Sequence, residues 1–340
     1  MSDKLEVESE MLETQQKMLE TKTILEVKDV SVQYKIDDLV IHALDQVSLS
    51  IPSRGTLGIV GESGSGKTTL GMAIMNLIEP PGKISTGKVN YMGENVLDLS
   101  DKDLRKFRWE EVAMIYQSAM NSLNPVKTIS HPIIEVLRYH QKLTKSEAVE
   151  KTIKLLQNVG INPSRAFSYP HEMSGGMRQR VVIALALALS PKLLIADEPT
   201  SALDVVTQRQ ILALIKKEIT QNGQSLIFIT HEIALLNGLV DEIAVMYAGE
   251  VVERGKLEDV ISKPQHPYTE MLLSTILTID SPTKNLSGFA TASSERTVSK
   301  KMNACRYTNR CKYAFDRCTR ERPLLKESET GRLVACHKYN

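Results

Sequence analysis

"TLGIVGESGSGKTTLGMAIMNL", Thr56 to Leu77, decides how the rest of the chain is read. It opens on a buried-strand pattern and closes on apolar residues at helical spacing. Between them "GESGSGKT", Gly61 to Thr68, fits G-x-x-x-x-G-K-[ST] in the setting that gives the pattern meaning, after a strand and before a helix. Gly64 and Gly66 let the backbone wrap so that its N–H groups converge on phosphate oxygens, and the helix start adds a positive dipole end. Lys67 would reach the β- and γ-phosphates, and the Thr68 hydroxyl would ligate Mg2+. Gly61, Ser63, Ser65 and Thr69 complete the candidate grip. The plain alternative is a Gly-rich turn that binds nothing; the ordered strand, loop and helix weigh against it.

Working outward, "LLIADEPTSALD" (Leu193–Asp204) is an apolar strand ending in two acids. Asp197 would hold the magnesium, commonly through water, and Glu198 would polarise an attacking water. Surface acids or a helix cap are the alternative. Asp204 either shares in catalysis or caps the helix starting near Val205, and both readings stay open. A third strand, "SLIFIT", spans Ser225 to Thr230. Helices between such strands imply a parallel sheet covered on both faces, hence an α/β fold. Before the Gly-rich loop, "ILEVKDVSVQY" and "HALDQVSLSIP" predict strands with a turn near Asp37-Asp38. Residues 98–170 carry helix signals, among them "TKSEAVEKTIKLLQNVG" with Gly160 as its stop. A second anion grip is written in "HEMSGGMRQRVVIALALALS", where Ser174, Gly175 and Gly176 precede an apolar helix. Together these motifs indicate ATP or GTP hydrolysis.

The bulk numbers set the class. At 340 residues, 42% apolar and 24% charged, the chain can bury a full core and has the composition of a soluble protein. Forty-two Lys and Arg nearly cancel 41 Asp and Glu, so nothing argues for a nucleic-acid partner. No apolar run nears a membrane span, and "MSDKLEVESE" lacks a signal-peptide apolar segment, so a cytosolic or membrane-peripheral place is expected. All four cysteines crowd into the last thirty-six residues, which in a cytosolic chain favours metal or cluster ligation over disulfides.

These residues resemble the ATP-binding subunits of ABC transporters. "MSGGMRQR" looks like the family's signature motif, Gln117 in "MIYQSAMNSLNP" its Q-loop glutamine, "SALD" (Ser201–Asp204) its D-loop, and His231 in "IFITHE" its switch histidine. Tyr34 stands where the family has an aromatic that stacks on adenine. The resemblance implies a P-loop NTPase fold: a RecA-like parallel-sheet core, an antiparallel β-subdomain and a helical subdomain. It also implies that two such subunits pair head to tail, Ser174, Gly175 and Gly176 of one closing on the ATP held by the other. Gln117 would sense magnesium and the attacking water, Glu198 would act as general base, and His231 would contact the γ-phosphate. Taken singly, Tyr34 could be a core aromatic, Gln117 a surface amide, and His231 a helix cap or a core histidine.

One branch is closer still, the oligopeptide and dipeptide importers, which "GIVGESGSGKTT", "SAMNSLNP", "AVMYAGEVVERG" and "KPQHPYTEMLLSTI" (Lys263–Ile276) resemble. The implied function is the ATPase of an importer at the cytoplasmic face of the cell membrane. Its partners would be two integral-membrane permeases, a second ATPase subunit (a related chain ahead of a second copy) and, indirectly, an extracytoplasmic solute-binding protein. Peptides lead as cargo, with oligosaccharides and nickel as alternatives. The other class, a soluble ABC ATPase in DNA repair or translation, is disfavoured by the single cassette and the short Gln117-to-signature interval. Cys305, Cys311, Cys318 and Cys336 are spaced by five, six and seventeen residues. Some relatives hold a [4Fe–4S] cluster on a similar tail; these gaps lack the close pairs of structural zinc, although Zn2+, unligated thiols, and His337 as a substitute ligand stay open. The tail departs from its relatives at Arg306 and Lys312, where they often have proline. The expected divisions are a polar extension 1–23, an ABC ATPase domain 24–262 with a helical subdomain about 118–180, an importer-type extension 263–280, a linker 281–300 and a cysteine segment 301–340.

Overall fold

Asp37 takes φ 52 where β1 (Thr23–Ile36) turns back into β2 (Leu39–Pro52), the turn the sequence places there. A computed structural model of the chain describes residues 23–117, 122–277 and 303–339. The expected linker 281–300 and all but Thr23 of the extension 1–23 lie outside the described residues. β3 (Thr56–Val60) leads through the Gly-rich loop into α1 (Lys67–Ile74), and β4 (Gly82–Tyr91) and β5 (Glu94–Asn95) follow. After α2 (Asp101–Lys106) and β6 (Val112–Ile115) come α3 (Ser130–Gln141) and α4 (Lys145–Asn158). In α4, Thr144 Oγ1 accepts the Glu147 N–H while the Glu147 carboxylate accepts the Thr144 N–H. This capping box starts the helix, and Gly160 at φ 77 lets the chain leave it. Then follow α5 (Gly175–Ala186), β7 (Leu193–Asp197), α6 (Val205–Asn222), β8 (Ser225–Thr230), β9 (Glu242–Tyr247) and β10 (Glu250–Lys256). The described chain closes with α7 (Leu257–Ser262), α8 (Pro267–Leu277), α9 (Asp316–Arg320), β11 (Lys326–Glu327) and β12 (Leu333–Val334).

Two compact units result. The first holds, among the described residues, 23–26, 49–55 and 89–227; the second holds 27–48, 56–88 and 228–339. In the first, β6 and β7 are parallel, Val112 to Ile115 facing Leu193 to Ala196 in step. Every residue of β7 is buried, the mark of a strand covered on both faces. In the second, β3 runs parallel to β9, from Leu57↔Glu242 to Val60↔Val245. The β1–β2 hairpin, β4 and β5 form a second sheet in the order β2-β1-β4-β5, with β5 antiparallel to β4.

The parallel core expected from the strand–helix alternation is in fact mixed. Between β9 and β10 there is no helix, only Ala248 and Gly249, both with positive φ (49 and 86). Such a two-residue turn matches strand twist and makes the pair an antiparallel hairpin. The cysteine segment, expected as a small appendage, continues this edge: β12 pairs antiparallel with β10 (Glu253↔Val334) and β11 with β12. Among the described residues no helix is long and apolar enough to cross a membrane.

Candidate functional site

The Gly-rich loop is shaped by its own neighbours in the second unit. Gly66, the residue before α1, has φ 99, and a Cβ there would lie 2.6 Å from the Ala43 carbonyl oxygen. Conformation and space both demand glycine. Gly64 (φ 81) needs it for conformation alone, since a Cβ would meet nothing within 4 Å. Lys67 is buried, and its Nζ donates to the carbonyls of Gly61 (2.7 Å) and Glu62 (2.9 Å), holding the loop as an arch. Ser65 Oγ is buried with no hydrogen-bond partner, a polar atom suited to an incoming oxyanion. Ser63 and Gly64 are exposed; Thr68 and Thr69 lie half-buried on the first turn of α1, which carries no acid to cancel its dipole.

Tyr34, on β1, is half-buried rather than a core aromatic, and its ring edge lies over Gly82, where a Cβ would come within 2.6 Å of Cε1. His231 follows β8 and is exposed, 3.6 Å from the Glu232 carboxylate. It is neither a core histidine nor the cap of the next turn, Ile233–Leu236, whose N-cap is Glu232.

In the first unit the parallel register of β6 and β7 brings two distant residues together. Continuing the step Ile115↔Ala196 by two residues sets Gln117 opposite Glu198, and Gln117 Nε2 donates to Glu198 Oε2 at 3.0 Å. Glu198 has φ 45, uncommon for a non-glycine residue, which turns its side chain out of the strand line. Asp197 is fully buried and Glu198 half-buried, so neither is a free surface acid. Asp204 caps α6: Oδ1 accepts the N–H groups of Val206 (3.0 Å) and Thr207 (2.9 Å), and Oδ2 accepts the Thr207 hydroxyl. These bonds, those of Thr207 foremost, hold its carboxyl below the usual carboxylate range.

Ser174 is exposed and caps α5, its Oγ accepting the Met177 N–H at 3.3 Å. Gly175 and Gly176 are half-buried in the first turn. A Cβ on Gly176 would come within 2.5 Å of Thr207 Cγ2, so this glycine is also required by packing between α5 and α6. The sequence reading assigned it to an anion alone.

Near the C-terminus, Cys305, Cys311, Cys318 and Cys336 line one small cavity together with His266, Tyr307, Phe315 and His337. Burial, before other causes, raises the thiol pKa of Cys305 and Cys311, and pushes that of Cys336 up to about 11. Among the described residues, however, no group of three or more His, Cys, Asp or Glu is arranged to hold a metal ion. The four thiols line one cavity without forming such a group, which supports neither the cluster nor the zinc alternative.

Five residues that anchor this region were not read from the sequence. Fully buried Glu253 accepts the N–H groups of Gln265 (3.0 Å) and His266 (2.9 Å) and pairs with Arg332 at 3.4 Å. Tyr268 Oη accepts the Glu62 N–H at 2.8 Å. Glu62 and Arg310 form a two-pronged ion pair. The "HPY" of the C-terminal stretch was the available signal; the partners of Glu62 had none.

The profile of the ABC transporter family matches residues 44–201, and that of the oligopeptide/dipeptide transporter C-terminal region matches 252–318. The oligopeptide transport ATP-binding protein AppD of Bacillus subtilis (strain 168) is 41% identical over 93% of this chain and 97% of its own length. The dipeptide transport ATP-binding protein DppD of Escherichia coli (strain K12) is 41% identical over 92% and 96%. Among solved structures, a dimeric ATP-binding cassette in a post-hydrolysis state with ADP and Pi shares 31% identity at TM-score 0.62, covering 68% of this chain and 98% of its own. The ABC transporter component cbiO1 of Clostridium perfringens has the same TM-score at 26% identity, over 77% and 96%. With its Gly-rich arch, its acid-ended strand and a full-length likeness to such subunits, this chain belongs to the ATP-binding proteins of the oligopeptide/dipeptide ABC transporter family.

Proposed function

We propose that this chain is the ATP-hydrolysing subunit of an importer that takes up oligopeptides or dipeptides through a membrane permease. The observation that carries the ATPase reading is the Gln117–Glu198 contact at the end of two in-step parallel strands. A glutamine amide on the carboxylate of a general base fixes that carboxylate where it can take a proton from water. Gly61 and Ser63 to Thr69 bind the triphosphate, with Lys67 moving from the loop carbonyls to the β- and γ-oxygens. Tyr34 stacks on the base and His231 contacts the γ-phosphate. Thr68, Gln117 and Asp197 offer hard oxygen donors of the kind Mg2+ takes, and the ion would neutralise phosphate charge. Ser174, Gly175 and Gly176 serve the ATP of a second ATPase subunit, for which a related chain is favoured over a second copy. ATP then stabilises the closed pair and hydrolysis releases it.

In the first unit a groove of about 340 Å3, lined by Leu123, Asn124, Ile129, Pro132, Glu135 and Pro170 among others, supports docking of a permease's cytoplasmic helix. With two permeases and an outer solute-binding protein, this makes the chain peripheral to the cytoplasmic face of the membrane. Cys305, Cys311, Cys318 and Cys336 hold a [4Fe–4S] cluster. The four thiols line one small cavity, and a cubane spreads its ligands wider than a single ion does. Iron and acid-labile sulfide in anaerobically purified protein, lost in Cys318→Ala, test this assignment.

The transport reading is tested with the chain assembled with its permeases in proteoliposomes. Peptide uptake should require ATP, and Glu198→Gln should lower turnover at least about a hundredfold while ATP still binds. Unchanged turnover in that variant would remove Glu198 as the base.

A further inference from the structure

Glu62, the second residue of the Gly-rich loop, is tied at each of its polar groups. Its N–H donates to Tyr268 Oη (2.8 Å), and its carbonyl accepts Lys67 Nζ (2.9 Å) and the Ser65 N–H (3.1 Å). Its carboxylate accepts from both ends of the Arg310 fork, Nη1 and Nη2 each at 2.9 Å. Arg310 immediately precedes Cys311, at the end of the short turn Thr308–Arg310. Its guanidinium lies 5.8 Å from the ring centroids of both Tyr247 and Tyr307. Those rings pack on each other at 5.1 Å, and Tyr268 packs on Tyr247 at 4.6 Å. A guanidinium is charged at every working pH.

A carboxylate on the arch that gathers a triphosphate is a liability, because like charges repel and the pair is only partly screened at a half-buried site. A fork-to-fork guanidinium cancels that charge and fixes its direction, which a point charge does less well. We infer that Arg310 is a positioning residue of the nucleotide site: it neutralises Glu62 and holds the arch open to phosphate, so that the cysteine segment sets the loop's affinity for MgATP. The inference rests on the proposed reading of Gly61–Thr69 as the phosphate loop. It gives the tail's position a use within the ATPase, as a strut reaching from beside Cys311 to the second residue of the arch.

A double-mutant cycle on the full chain tests it, with MgATP affinity read by displacement of a fluorescent ATP analogue and folding by thermal melting. Arg310→Gln should raise the Kd about threefold to tenfold, and added salt should shrink the defect. Glu62→Gln should bind nearly as wild type, and Arg310→Gln in the Glu62→Gln background should return most of the lost affinity, because the offending charge is gone. Arg310→Lys should fall between wild type and Arg310→Gln. A purely structural strut predicts the opposite pattern: Glu62→Gln weakens binding and the double variant does no better than Arg310→Gln. That result, or an unchanged Kd in Arg310→Gln, overturns the inference. If Arg310→Gln fails to fold, Arg310→Lys and the double variant decide, equal affinity in Arg310→Lys and wild type counting against it. Wild-type protein that does not bind MgATP overturns the phosphate-loop reading itself.

Discussion

At the scale of single residues, packing holds Gly176 to glycine, besides the contact with a second subunit's ATP proposed for it. Its Cβ position lies 2.5 Å from a methyl of Thr207, a β-branched side chain whose rotamer is held by its hydroxyl bond to Asp204. Gly176→Ala gains helix propensity yet should destabilise the folded chain by about 1–3 kcal/mol through overpacking. Thr207→Ser removes the methyl and keeps the hydroxyl, so the pair Gly176→Ala/Thr207→Ser should regain most of the loss in chemical denaturation. Failure to regain it would place the cost elsewhere than this contact. The same scale explains Glu198: a left-handed backbone is tolerated there because the buried strand before it fixes the chain's exit.

Among elements, the junction of β10 and α8 carries the clearest titration. His266 is buried, and burial pushes its pKa down to about 3, so the ring is neutral; its Nδ1 accepts the Tyr268 N–H at 3.1 Å. Between pH 6.5 and about 3 the unfolded chain binds a proton that the folded chain refuses. Stability contributed by the neutral ring is therefore full above pH 6.5 and is lost on acidification, by up to about 1.4 kcal/mol per pH unit. His266→Asn keeps an acceptor and removes the titration. Its unfolding free energy should fall less steeply than that of wild type from pH 6.5 to 5; parallel slopes would show that the ring does not stay neutral.

For the molecule as a whole, an ion network in the second unit ties the cysteine segment to the sheet. Arg306 pairs with Asp45 and, at 2.7 Å, with Glu250, and Arg322 reaches the same two acids at 3.0 and 2.9 Å. Arg306 and Asp45 are each only 7% exposed. Burial raises the Glu250 carboxyl above the usual carboxylate range, and the two arginines offset only part of that rise. Arg306→Met leaves the two buried acids to Arg322 alone and should cost about 2–3 kcal/mol in denaturant, more than removing all four charges together with Asp45→Asn/Glu250→Gln/Arg306→Met/Arg322→Met. Equal losses would mean that packing, not charge, holds the segment.

What the sequence determined by itself was whatever depends on local order. The strand–loop–helix of Thr56–Ile74, the acid-ended strand Leu193–Asp197, the capped helix Lys145–Asn158 and the turn at Asp37-Asp38 each carry their own residue signals. Only the tertiary structure decided which distant residues meet: the strand register that sets Gln117 on Glu198, the hairpin that turns a parallel sheet into a mixed one, and the arginine that reaches Glu62 across 248 positions. Backbone preferences are fixed by a residue and its neighbours, whereas a pairing between remote charges follows from how strands and loops pack. No spacing along the chain encodes that.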